Sequence, residues 1–232
     1  WRSPCPLGGG CLPSADGGMI WGMSKAYAAE THDYTESATS ISGLEGTDKT
    51  GFMSDNKITL GTEDGATDKP FSTWGTISGG GKKTAVEDVR NNMLTIHGLK
   101  VSNGGGQSMI YGGISGTGAV TKNNVIFNNG LSKDPIYGGF NGASATKAVT
   151  GNSVTITGGT LKDEAMGGII RSTTSSADIT RNTLTISGGA FTKSGGTNVF
   201  GAYTAGSGKA ENNSVTVSNL TNTDLTVYGA HA

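Results

Sequence analysis

Cysteine is nearly missing from this 232-residue chain: Cys5 and Cys11 are the only two, and everything from Glu30 onward is free of thiols. Over that stretch a disulfide scaffold and a thiolate metal site are excluded. Net charge is missing as well. A formal charge of −1 leaves no polybasic surface for nucleic acid and no acidic solvating tail. No apolar run approaches the ~20 residues that span a bilayer. Leu, Ile, Val and Phe are scarce, about 18% of the chain, a level that signals disorder only when a large net charge accompanies it. The three histidines, His32, His97 and His231, stand in unrelated contexts with no metal-ligand spacing. What the chain does have is 40 glycines against 15% charged residues, which rules out a helix-rich protein.

The two ends read as cut. The first residue is Trp1, and Tyr228 to Ala232 stops inside a repeating pattern. Ala26, Tyr27 and Ala28 have the small-x-small form of a signal peptidase site that would free Ala29, although Gly17 to Met23 is a poor apolar segment for a leader. Leu7 to Cys11 has the outline of a lipoprotein box, with Gly8 where Leu is wanted. Residues 1–29 are therefore read as a leader or an irregular N-terminal segment.

Self-similarity organises the rest. Five segments begin with Asn and run into a short strand-like piece: Asn92 to Ile96, Asn123 to Phe127, Asn152 to Ile156, Asn182 to Ile186 and Asn213 to Val217. The leading asparagines are 31, 29, 30 and 31 residues apart. Between them lies an aromatic or Met followed by Gly and a small residue, at Tyr111, Tyr137, Met166, Phe200 and Tyr228. Weaker copies start at Asn56 and Trp74, and a third apolar patch precedes each Asn, as at Val120, Val149 and Ile179. Such pieces are too short for helix pairs and bury almost nothing alone. Stacked coil on coil, equivalent pieces pair in parallel ~4.8 Å apart and close a thin continuous core.

The sequence thus predicts an all-β fold, a parallel β-helix (solenoid) with about 30 residues and three short strands per coil. Period-two alternation sends Leu94, Ile96, Val154, Ile156, Leu184 and Ile186 inward and the middle Thr outward. The asparagines read as a stacked corner ladder, or alternatively as a polar binding stripe; Asn tolerates the left-handed region that corners require. Gly158, Gly159, Gly188 and Gly189 mark further corners. From strand end to aromatic motif the spacing is 15, 10, 10, 14 and 11, which places insertions at one corner. Residues 30–73 are read as an irregular cap with a partial repeat and one or two short strands, and residues 74–232 as solenoid repeats truncated at the C-terminus.

The cassette Gly151 to Gly159, with Ile136 to Gly139 before it, resembles the repeats of autotransporter adhesin passengers of Gram-negative bacteria. The resemblance implies a right-handed β-helix, exported through the outer membrane and held at the cell surface by a C-terminal barrel missing from this chain. It implies as partners a host-cell or bacterial surface protein or glycan. The shortage of cysteine agrees with export of an unfolded chain.

Other β-helices are polysaccharide lyases and hydrolases, which need carboxylates converging on one face. Asp163 and Glu164 fall in a corner loop, Asp178 and Arg181 precede an Asn corner, and Glu63 and Asp64 lie upstream; their column-mates are mostly neutral. All read as solvated loop charges, so the sequence predicts no catalytic, cofactor or metal residues and no enzyme. The calcium-binding nonapeptide is missing, and neither Gly79 to Gly81 nor Gly104 to Gly106 is followed by a Lys-Ser/Thr that opens a helix, as a phosphate loop requires. An ice-binding array of Thr155, Thr157, Thr185, Ser187, Thr216 and Ser218 is broken by Ile126, Asn128 and His97. Ligand contacts are expected on the longest loops, Val101 to Ser108 and Thr192 to Asn198.

Overall fold

The computed structural model describes residues 31–34, 54–61, 77–100, 109–142, 145–221 and 224–232. The leader and lipobox readings, Glu63, Asp64, Trp74 and the loop Val101 to Ser108 lie outside the described residues.

The described residues form a parallel β-solenoid in which every strand pairing is parallel and joins equivalent residues of successive coils. One sheet has seven strands: Thr31–Tyr34, Lys57–Leu60, Met93–Ile96, Asn124–Phe127, Ser153–Ile156, Thr183–Ile186 and Ser214–Val217. It is the Asn-led column, and it takes in two short strands from the stretch read as a cap. A six-stranded sheet carries the aromatic–glycine pieces, Ile77–Ser78, Ile110–Ser115, Ile136–Asn141, Ala165–Ile170, Thr197–Thr204 and Leu225–His231. The patches before each Asn form a five-stranded sheet of two-residue strands, from Val89–Arg90 to Ala210–Glu211. A fourth sheet joins Leu99–Lys100, Gly130–Ser132, Thr160–Leu161 and Ala190–Phe191, just past the Asn-led strand. The three expected strand positions are present, and this fourth is added to them.

Burial follows the period of two. Leu94, Ile96, Val154, Ile156, Leu184 and Ile186 are all buried, while Thr155 and Thr185 between them are only half-buried. The interior has two apolar compartments, one around Leu94, Val125, Val154, Ile136 and Leu184, the other around Val120, Val149, Ile170 and Ile179. In chain order the asparagines fall between the two on one side, and the glycine pairs of the aromatic strands between them on the other.

There the ladder is complete. The Oδ1 of Asn152 accepts from the backbone N–H of Asn123 at 3.0 Å and from its Nδ2 at 2.9 Å. The Nδ2 of Asn152 donates to Oδ1 of Asn182 and to the Val120 carbonyl, both at 2.9 Å. The same bonding links Asn56 to Asn92, Asn92 to Asn123, and Asn182 to Asn213. A ladder buried this deeply is structural; it offers no binding stripe. Its geometry corrects one expectation. The left-handed residue is the one before each ladder Asn: Asp55, Asn91, Lys122, Gly151, Arg181 and Asn212, with φ of 55–66°. The Asn keeps ordinary φ because its side chain must point inward.

Two further readings change. Ser78, Gly79 and Gly80 align with Tyr111, Gly112 and Gly113, so the Gly79 to Gly81 run is the glycine pair of an early coil. Insertions also occur at a second corner, since the gaps from Ser115 to Val120, Asn141 to Val149 and Ile170 to Ile179 differ in length.

Candidate functional site

The aromatic strands place alternate side chains on opposite faces. Ile110, Ile136, Ala165 and Val199 enter the core, which sends Tyr111, Tyr137, Met166 and Phe200 to the other face. The glycine pair follows, and Ile114, Phe140, Ile169 and Tyr203 then rejoin that outer row. The result is a second apolar cluster, built of two parallel columns. Rings meet along and across them: Tyr111 and Phe140 edge-to-face at 5.1 Å, Phe200 and Tyr228 stacked at 4.8 Å, Tyr203 and His231 stacked at 5.2 Å. These contacts each add ~0.5–1.5 kcal/mol beyond area burial.

Towards the last coils the columns open into a groove of about 470 Å³, lined by Met166, Ile169, Phe200, Tyr203, Tyr228 and His231. Its two margins lie along the strand direction. Glu164 and Asn198 stand where the strands begin, Arg171 and Ala205 where they end. Glu164 belongs to an ion cluster in which Lys193 Nζ lies 2.7 Å from Asp163 Oδ1 and 3.6 Å from Glu164 Oε1. The Asp163 partner raises the Lys193 ammonium pKa above its ordinary value. On the opposite margin the positive charge of Arg171 opposes the rise in the Tyr137 phenol pKa.

Tyr137 is almost wholly buried, and that burial pushes its phenol up to about 12. An unfolded tyrosine ionises near pH 10, so the stability tied to the neutral phenol is present below pH 10 and is lost as pH rises towards 12. Urea denaturation at pH 9 and pH 11.5 should show wild-type protein losing roughly 2 kcal/mol more than Tyr137→Phe across that interval. Equal losses in both proteins would show that the phenol is not held neutral.

The remaining charged and polar residues of interest have structural partners. Asp178 Oδ1 accepts the backbone N–H of Lys209 at 3.0 Å, and Asp88, three coils earlier in the same column, accepts that of Ala119 at the same distance. Asp88 is also bonded by Lys147 at 2.9 Å, which holds its carboxyl below the usual range. Arg181 is a left-handed corner residue. His97 stands in an outward polar row: its Nδ1 is 3.0 Å from Nδ2 of Asn128, whose Oδ1 accepts from Thr157 Oγ1 at 3.0 Å. Among the described residues no group of three His, Cys, Asp or Glu could hold a metal ion, and no helix is long and apolar enough to cross a membrane.

The loop from Thr192 to Asn198 contributes only Asn198 to the groove. Sequence reasoning placed ligand contacts on loops and did not find a groove on the sheet. The signal for it was available in the motif itself: a large side chain one residue after a core apolar one, as at Tyr111, Tyr137, Met166 and Phe200, must face outward. No family model, curated protein or solved structure matches the chain.

Proposed function

We propose that this solenoid is a surface-exposed passenger segment of an autotransporter adhesin, extracellular on a Gram-negative outer membrane, serving as a stalk and as a cell-adhesion surface. The observation that carries the reading is the unbroken coil stack. Four parallel sheets run through successive coils, so the fold extends in one direction and holds its outer faces and corners at fixed positions. Such a scaffold suits presentation of contacts away from a cell, and the cysteine-free stretch from Glu30 suits passage across a membrane before folding. The partner on this reading is a host-cell or bacterial surface protein or glycan, and nucleic acid is disfavoured by the near-zero net charge.

Cells displaying the full-length protein should adhere better than cells lacking it to at least one member of a panel of host and bacterial cells. Equal adherence across the panel would overturn the adhesin reading.

The carbohydrate-active alternative needs two carboxylates flanking a bond, and the groove is lined by one, Glu164. We expect the purified chain to cleave neither polyuronates nor neutral glycans. Cleavage that disappears in Glu164→Gln or Asp163→Asn would establish an enzyme instead.

A further inference from the structure

Three asparagines in the chain precede glycine: Asn103, Asn129 and Asn141. In such a pair the side-chain amide is open to attack by the backbone nitrogen of the next residue, because glycine puts no Cβ in the way. Asn103 lies outside the described residues. The fold holds the other two in opposite ways.

Asn141 is completely buried. Its Nδ2 donates to the Gly118 carbonyl at 2.8 Å and to the Lys147 carbonyl at 3.3 Å, while the nitrogen that would attack, that of Gly142, donates to the Ser115 carbonyl at 3.0 Å. Reaction there requires the corner to open first.

Asn129 is exposed, at the corner between Asn124–Phe127 and Gly130–Ser132. The Gly130 N–H donates to the Oδ1 of Asn129 itself at 2.8 Å. The carbonyl carbon is one C=O bond, about 1.2 Å, from that oxygen. Nitrogen and carbon are therefore already neighbours, and a turn about the Cβ–Cγ bond brings one over the other. Gly130 holds this arrangement with φ of 112°, a value that residues with a side chain rarely adopt. In the next two coils the same corner is Gly158–Gly159 and Gly188–Gly189, so the stack does not need an amide there.

We propose that Asn129 is a site of spontaneous covalent modification in the folded chain, converting through a cyclic imide to isoaspartate and aspartate. The Gly130 nitrogen, its proton taken by hydroxide, bonds to Cγ of Asn129. The Cγ–Nδ2 bond breaks, and ammonia leaves with a proton from water, which regenerates the hydroxide. Water then opens the five-membered ring at either carbonyl. Opening at Cγ gives aspartate; opening at the main-chain carbon gives isoaspartate, with Cβ now part of the backbone. Nothing is oxidised or reduced. Both products add a carboxylate to the corner, and isoaspartate lengthens the main chain by one atom just before the strand that pairs with Leu99–Lys100 and Thr160–Leu161. The inference goes beyond the adhesin reading and does not rest on it.

The test is peptide mapping by mass spectrometry of the whole chain, folded and in urea, after incubation at pH 6 and at pH 9. In the folded protein Asn129 should convert at least ~10-fold faster than Asn141, a factor that ~1.4 kcal/mol of local opening at Asn141 suffices to give. Conversion should be faster at pH 9, where the attacking nitrogen loses its proton more often. Unfolding should bring Asn141 up towards the rate of Asn129 and change Asn129 far less. Asn129→Gln should delete the signal at this position with an unchanged circular dichroism spectrum, since the side chain is exposed. An intact Asn129 in the folded chain, equal rates at the two folded sites, no acceleration at pH 9, or a gain on unfolding as large for Asn129 as for Asn141 would each overturn the proposal.

Discussion

Replacing Asn152 with alanine should cost the solenoid roughly 4 kcal/mol, several times the effect of an ordinary polar-to-alanine change. The side chain sits mid-ladder and is completely buried. Its removal strands the backbone N–H and the Nδ2–H of Asn123, both of which donate to Asn152 Oδ1, and deprives the Val120 carbonyl of a donor. Each buried orphan costs ~1–3 kcal/mol because no water replaces the lost partner. Asn213 provides the comparison. It also receives two bonds, from Asn182, but it is only half-buried, so water reaches the vacated space and Asn213→Ala should cost about 1–2 kcal/mol. Urea denaturation followed by circular dichroism measures both. A loss for Asn152→Ala no larger than for Asn213→Ala would show that the ladder is not what couples the coils.

Gly167→Ala should be nearly as damaging, at about 3 kcal/mol or more. A Cβ there would lie 2.5 Å from the Gly201 carbonyl oxygen and 2.7 Å from both the nitrogen and the oxygen of Thr183. All three atoms are backbone, in the next coil and across the interior, so relief requires separating strands whose spacing is set by their own hydrogen bonds. The neighbouring Gly168 differs. Its Cβ would meet the Asn182 side chain at 2.7–2.9 Å, and Ala202 and Ala230 already occupy its column in the last two coils. Gly168→Ala should therefore cost about 1–2 kcal/mol. Matched thermal melts decide the point, and indistinguishable melting temperatures for the two variants would contradict the packing account.

The contrast between these glycines also shows where the sequence was readable. From Asn92 onward the Asn interval stays at 29–31 residues and two inward apolar residues flank each outward one, and repetition turns a weak local signal into a period that only stacked coils satisfy. Within a coil that help is lost. The two-residue strands after the Asn-led strand, such as Thr160–Leu161 and Ala190–Phe191, share no residue type. They are defined by their neighbours above and below and have little intrinsic preference. The left-handed corner holds Asp, Asn, Lys, Gly and Arg in different coils, so composition alone pointed instead to the Asn beside it. The groove depends on direction. Tyr111 and Ile114 reach one face although a period of two would part them, because the glycine pair between them interrupts the alternation.

Repetition has a cost for the folding chain. Every coil offers its neighbours the same Asn, the same inward aliphatics and the same glycines, so a strand displaced by one whole coil would find nearly all of its bonding intact. Mispairing of that kind is the characteristic hazard of repeat arrays. The correct alignment must be selected by side chains that differ between coils. Lys147 reaches Asp88 across 59 residues, two coils away, and Lys193 reaches Asp163 across 30; the outer column changes from Tyr137 to Met166 to Phe200. Exposed ion pairs contribute little to stability, but a chain shifted by one coil loses them while keeping its core. The exposed ion pairs that a stability measurement would rank as dispensable are among the features by which the chain keeps count of its coils.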